Sequence, residues 1–366
     1  MKKTTILFVI LYLVIFVSVS WWAYNKYFRN TSAISGETQT ISFNKNKTIF
    51  YTIENNLYLL NSDNLNKSTN QIGTLRLQST GEVQTINFDQ KNEFIVYSSI
   101  NPQNASEIWK VDLADNHSEK IFAKEIPGFE NYTNFRSPKM SNTERFMVFI
   151  AKLSANSGVD DIFLWDIEQN SIENLTKQTI KSKISAICWS GSEQKIYYAA
   201  EDTTGSLVSL MDLKAINQNV FVSPDKITRM EATRDRLILS LQDANLTTNL
   251  SYILYAKPQS IIPITDLASP KTLVNFDLSS DFKKIIYQVN DSNLKTNDLY
   301  LVNSDGNNLL QLSTDGKSYF GVFSPENDKI AFWSNGSGIY TEGLTKDNKQ
   351  KLLNESKLIN KIIIWR

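Results

Sequence analysis

VFSPENDKIAFWSNGSGIYTEGLTKDNKQKLL, from Val322 to Leu353, decides how the rest of the chain is read. A short apolar run closes on Phe323, and a polar turn follows from Ser324 to Asp328. A second run, Lys329 to Ser334, returns with apolar residues, and a Gly-rich turn leads into Ile339-Tyr340. The unit ends near Leu352-Leu353. Run, turn and returning run with a period of two is the signature of an antiparallel hairpin in a half-buried sheet. Four runs in succession make one small sheet.

The same four-part unit recurs toward the N-terminus. Aligned on the last residue of each first strand it gives Phe43, Phe88, Met140, Trp189, Ala232, Leu278 and Phe323, at spacings of 45, 52, 49, 43, 46 and 45. That is the length of a four-stranded propeller blade, about 40–50 residues. Second strands begin at Thr48, Phe94, Phe146, Lys195, Leu237, Lys284 and Lys329, and third strands at Asn56, Glu107, Asp161, Leu207, Ser251, Asp298 and Gly338. A sheet this small cannot bury both faces alone, so such units stack face to face in a ring. The expectation is therefore an all-β chain: a seven-bladed β-propeller over residues 39–366, with Phe43, Phe88, Trp189 and Phe323 buried between blades. The tail KIIIWR from Lys361 matches a further first strand, with Trp365 at the anchor position. It duplicates the slot that Gln39 to Phe43 also fills, which leaves six or eight blades as alternatives.

Phe323-Ser324-Pro325-Glu326 with Lys329-Ile330-Ala331-Phe332 and Ile339-Tyr340, and Leu299-Tyr300 to Leu312-Ser313 through Ser304-Asp305-Gly306, carry a resemblance to a known family. The sequence resembles the TolB-type propeller repeat, whose pattern is an aromatic residue, Ser-Pro-Asp-Gly, a basic residue, Ile-Ala-Phe, an Ile-Tyr strand and a Leu-Thr end. The resemblance spans nearly all of residues 40 to 366. It implies the fold, while such repeats serve assembly factors, peptidase gating domains and other roles. An N-terminal apolar run, rather than the separate N-terminal domain that accompanies the TolB propeller, is expected before the repeats.

Before the repeats, residues 1–3 form a basic stub and Thr4 to Tyr24 an uncharged apolar run. As a helix that run spans roughly 30 Å, the hydrocarbon thickness of a bilayer. Trp21, Trp22 and Tyr24 cluster at its far end, where such rings favour the headgroup level. The reading is a transmembrane signal-anchor helix over 4–24, with the body on the extracytoplasmic side and residues 25–38 as a polar tether. Lys2, Lys3 and the small residues Ser18-Val19-Ser20 keep a cleaved signal peptide as the alternative.

Lys plus Arg and Asp plus Glu each number 38, so no net field draws the chain to nucleic acid. One cysteine, Cys188, and one histidine, His117, exclude a disulfide framework and a zinc site of several Cys or His ligands. His117 reads as a solvated turn residue, and Cys188, inside a first strand, as a buried inert thiol. Asp160-Asp161, Asp202 and Asp305 do not form the alternating loop of a calcium site and read as turn formers, so no metal and no cofactor is expected. No Gly-x-Ser-x-Gly is present in these 366 residues and no hydrolase domain is expected, so no catalytic residue is assigned.

What remains is the mouth and channel of the ring. Two first strands there carry charge: FRSPKM with Arg136 and Lys139, and TRMEA with Arg229 and Glu231 on one face of the strand. These four are the binding candidates. The plain alternative is an intrastrand ion pair that holds no ligand. The functional expectation is a non-catalytic, membrane-anchored propeller that binds a protein or peptide partner in a scaffold or envelope-assembly role. Its rival is a carboxylate-based hydrolase or lyase, with Glu231 as base and Arg229 or Arg136 as electrostatic stabiliser. Convergence of Arg136, Arg229 and Glu231 in one pocket would favour the rival.

Overall fold

A computed structural model describes residues 48–365 apart from 54–55, 62–70, 77–81, 89–93, 102–104, 113–116, 142, 155–157, 178, 192–193, 204, 347–348 and 354–360. The described residues form seven four-stranded antiparallel sheets, numbered here first to seventh along the chain. In the second to seventh sheets four consecutive strands lie side by side in chain order. Their leading strands are Glu82–Phe88, Tyr132–Met140, Ile184–Trp189, Lys226–Ala232, Lys271–Leu278 and Ser318–Phe323. The architecture is a β-propeller.

The hydrophobic pattern explains the order of strands. Second strands carry apolar residues on both faces, as in Thr48–Ile53 and Leu237 to Leu239, and are buried on both, because a neighbouring sheet covers each side. Fourth strands such as Lys257–Pro263 are polar and largely exposed, which places them at the rim. Seven apolar clusters fill the gaps between successive sheets. One of them joins Val322 and Trp333 of the seventh sheet to Ile49, Tyr51 and Trp365 of the first. Trp189 and Phe323, 9% and 5% exposed, lie in two of these cores, as expected for residues closing first strands. The Phe88 side chain and all of Phe43 lie outside the described residues.

The ends of the chain settle which segment leads the first sheet. Lys361–Trp365 pairs antiparallel with Thr48–Ile53, Ile49 opposite Trp365 and Tyr51 opposite Ile362, so the C-terminal strand occupies the leading position. Gln39 to Phe43, the run Thr4 to Tyr24 and the segment 25–38 lie outside the described residues. Among the described residues no helix is long and apolar enough to cross a membrane.

Two recurring polar devices account for the conserved look of the repeat unit within this chain. After a leading strand, the N–H groups of Ser190, Ser279 and Ser324 donate to the carbonyls of Lys195, Lys284 and Lys329 at 2.8, 3.0 and 2.9 Å. The Ser279 and Ser324 hydroxyls accept from the N–H groups of Lys284 and Lys329, at 2.9 and 3.1 Å. The turn is thereby closed by its own serine. At the other end of the sheet, Thr176 donates to Asp161 at 2.6 Å and accepts from the Ile162 N–H at 3.0 Å. Thr265 with Asn249 and Leu250, and Ser313 with Asp298 and Leu299, repeat the arrangement. The residue after the last leucine or isoleucine thus ties the fourth strand to the start of the third.

This arrangement corrects the reading of Asp160-Asp161 as turn formers. Both sit inside the strand Asp160–Asp166 at 1% and 0% exposure, and both are consumed by hydrogen bonds between elements. A buried carboxylate needs such partners, and turn propensity gives no hint of them. Asp305 does close a turn, accepting the Asn307 N–H at 3.0 Å beside Gly306 at φ 87°.

Candidate functional site

Each leading strand lies at one edge of its sheet, and bulges in it set where its side chains go. In Lys226–Ala232 the register shifts between Ile227 and Arg229. Beyond the bulge Met230, 1% exposed, turns into the core between the fourth and fifth sheets, and Arg229 and Glu231 share the opposite side. Arg229 donates from Nε and Nη2 to Glu231 Oε1, both at 3.2 Å. Its Nη1 reaches the sixth sheet, donating to Asn275 Oδ1 at 2.9 Å and to the Phe276 carbonyl at 2.7 Å, with the guanidinium 4.2 Å from the Phe276 ring centroid.

The third sheet supplies the other cation. Its leading strand shifts register twice, at Thr133/Arg136 and Arg136/Lys139, with Asn134 and Ser137 at φ 57° and 53°. Pro138 is tolerated because the strand is at a sheet edge. Its carbonyl accepts from Asn87 Nδ2 of the second sheet at 2.8 Å. Lys139 Nζ then donates to Glu231 Oε1 at 2.8 Å, linking the third sheet to the fifth past the fourth. The Lys139 carbonyl is itself held by Trp189 Nε1 of the fourth sheet at 2.9 Å. Three of the four candidates, Lys139, Arg229 and Glu231, therefore meet at one carboxylate. The intrastrand pair is present, and it is part of a larger set.

Arg136 does not join them. Its guanidinium is bidentate on Asp160, Nη2 to Oδ2 at 2.6 Å and Nη1 to Oδ1 at 3.2 Å, and donates to the Ile184 carbonyl at 3.0 Å. Asp160 Oδ2 also accepts the Ile184 N–H at 2.7 Å. The group is a closed staple between the third and fourth sheets.

Burial works to raise the Glu231 carboxyl, but the charges of Lys139 and Arg229 and their hydrogen bonds outweigh it and hold it below the usual carboxylate range. Protein surrounds the group while 23% of its side chain still meets solvent, which moderates the strength of both effects. Asp277, on the sixth sheet's leading strand, behaves oppositely. Burial pushes its carboxyl up, and the Phe323 N–H, donating at 3.1 Å, and the Arg229 charge offset this only in part. Asp277 is not among the sequence candidates, although strand alternation places Asn275 and Asp277 of VNFDL on one side.

Beside the Lys139–Glu231 pair a cavity of about 340 Å³ opens, lined among others by Met140, Trp189, Gly191, Arg234 and Phe282, so four sheets contribute. Gly191 is required here: a Cβ would stand 2.9 Å from the Thr233 carbonyl oxygen of the fifth sheet. Cys188 also borders the cavity but is 2% exposed, and burial pushes its thiol up. His117 is exposed in the connection between the third and fourth strands of the second sheet. Neither belongs to a nucleophile and base pair with Glu231.

With this geometry in view, comparison with solved structures places the fold. TolB from Acinetobacter baumannii matches with a TM-score of 0.50 at 13% identity, over 72% of this chain and 63% of that one. The chain resembles TolB-type β-propellers over that segment. A propeller domain of the Trilobed protease from Pyrococcus furiosus matches at TM-score 0.55 and 13% identity, over 84% of this chain and 90% of that one. A structure of prolyl endopeptidases matches at 0.58 and 10%, over 83% and 50%. No family model and no curated protein matches the sequence. At these identities the TolB-like likeness is one of fold, shared by proteins with and without catalytic domains.

Proposed function

We propose that the protein is a non-catalytic binding module that holds a protein or peptide partner at the mouth of a seven-bladed ring. The ring is anchored by the segment 4–24 and stands on the extracytoplasmic side, in a scaffold or envelope-assembly role. One observation carries the reading. Lys139, Glu231 and Arg229, from two sheets, converge beside a cavity to which four sheets contribute, while the groups that could do chemistry lie apart. The seven sheets, with a core between the seventh and the first, support the blade count.

The rival hydrolase or lyase needs Glu231 as a base, and a carboxylate held by two cations is a weak one. Of its two candidate stabilisers, Arg136 is spent on Asp160, and Arg229 is engaged by Glu231 itself, Asn275 and the Phe276 carbonyl, so Arg136, Arg229 and Glu231 do not converge in one pocket. The test is a photo-reactive residue at Phe282 in the full-length protein in native membranes, with Lys139→Glu as control. A cross-linked partner that disappears in the control supports the reading, and a cleft that cross-links nothing refutes it. For the topology, protease added to intact cells should release a soluble ring by cutting within residues 25–38; full protection would place the ring inside.

A further inference from the structure

The cations at this mouth are not equivalent. Lys139 and Arg229 are committed to Glu231, and Arg229 also to Asn275 and the Phe276 carbonyl. Arg236 is committed to Asp235, Nη2 to Oδ2 at 2.8 Å. Arg234, two residues beyond the bridging strand and exposed on the cavity wall, has no carboxylate within ion-pair reach among the described residues. Both acids nearest it in sequence, Glu231 and Asp235, are already engaged.

Part of the lining is apolar. Met140, the Trp189 ring and the half-buried Phe282 supply it, and the Trp189 N–H is already spent on the Lys139 carbonyl. The charged lining side chains are Lys139, Glu231 and Arg234, a surplus of one positive charge. At about 340 Å³ the cavity is at the small end of ligand pockets, enough for one or two residues of a peptide. An occupant must therefore offer one anionic group and one apolar group within a very short span. A chain end does this on a single residue, since the terminal residue carries both a free carboxylate and its side chain.

Resting on the reading of this cleft as the partner site, we infer that it receives the carboxyl-terminal residue of a peptide. The carboxylate sits on the Arg234 guanidinium, whose planar fork suits it, and an apolar side chain lies against Met140, Trp189 and Phe282.

The experiment uses the full-length protein in detergent, immobilised and offered short randomised peptides ending in leucine, either as free acids or as carboxamides. Retained peptides are read by mass spectrometry and the best of them titrated by fluorescence anisotropy. The free acid should bind roughly tenfold or more tighter than its amide. Arg234→Gln should erase that difference, and Phe282→Ser should weaken acid and amide alike. Equal binding of acid and amide, a preference for amidated peptides with an internal glutamate, or no retention at millimolar peptide would each overturn the inference. If the cleft still cross-links a partner when acid and amide bind equally, only the terminal assignment fails. A cleft that cross-links nothing removes the reading beneath it.

Discussion

Arg136–Asp160 and Lys139–Glu231–Arg229 each take a cation from the leading strand Tyr132–Met140 and set it on a carboxylate, yet they do different things. In the first, both Nη groups of Arg136 and both carboxylate oxygens of Asp160 find partners between two adjacent sheets, and Asp160 is 1% exposed. In the second, the pairing skips a sheet, the carboxylate keeps 23% exposure, and a cavity opens beside it. An enclosed pair is a fastener. A pair that stays in touch with solvent instead forms part of the wall of a cavity. Charge on a propeller's inner strands is thus informative only once it is known which gap the side chain enters.

The contrast predicts unequal responses to mutation. Arg136→Ala should have the largest effect on stability, about 3–5 kcal/mol, because it strands a buried carboxylate. Adding Asp160→Asn should recover part of the loss in urea unfolding, and a small effect without recovery would mean that the staple is not closed. Glu231→Gln should cost less, about 1–2 kcal/mol, since the group meets solvent. Its cost should also depend on pH. A carboxyl held below its unfolded value stabilises above the unfolded pKa and loses that contribution as pH falls through the folded one. The gap between variant and parent should therefore shrink in acid.

Asp277→Asn is expected to move in the opposite sense. A carboxyl raised by burial favours the fold below its unfolded pKa and loses that advantage as pH rises through the raised folded value. The variant should be neutral or up to about 1 kcal/mol more stable at neutral pH, because the amide oxygen can still accept from the Phe323 N–H. Any gain should vanish in acid, as read from urea midpoints at two pH values. Arg234→Gln should have the smallest effect on stability, within about 0.5 kcal/mol, since the side chain is exposed and makes no ion pair among the described residues. A large loss there would show that Arg234 is structural.

Much of the architecture was legible in the chain. The period of 43 to 52 residues and the alternation within each unit follow from burying small sheets against one another, a demand that every repeat meets locally. Trp189 and Phe323 could be placed between sheets for the same reason. That Arg229 and Glu231 share a side also followed, because strand side chains alternate whatever the partner.

Tertiary structure alone decided the rest. The double bulge around Arg136 sends it to Asp160 and frees Lys139 to reach Glu231, 92 residues away, and no local pattern encodes a pairing across two sheets. Asp160 and Asp161 look like turn residues in the chain and become buried acids only when neighbouring sheets close over them, and the half-buried Asp277 meets the Phe323 N–H of the seventh sheet only in the fold. The choice between two equivalent segments for the leading place in the first sheet was likewise made in space. Lys361–Trp365 pairs with Thr48–Ile53, and Trp365 enters the core shared with Trp333. Sequence periodicity fixes what each unit is, because that depends on neighbours along the chain; which groups meet at the mouth depends on neighbours around the ring, and only the folded ring brings those together.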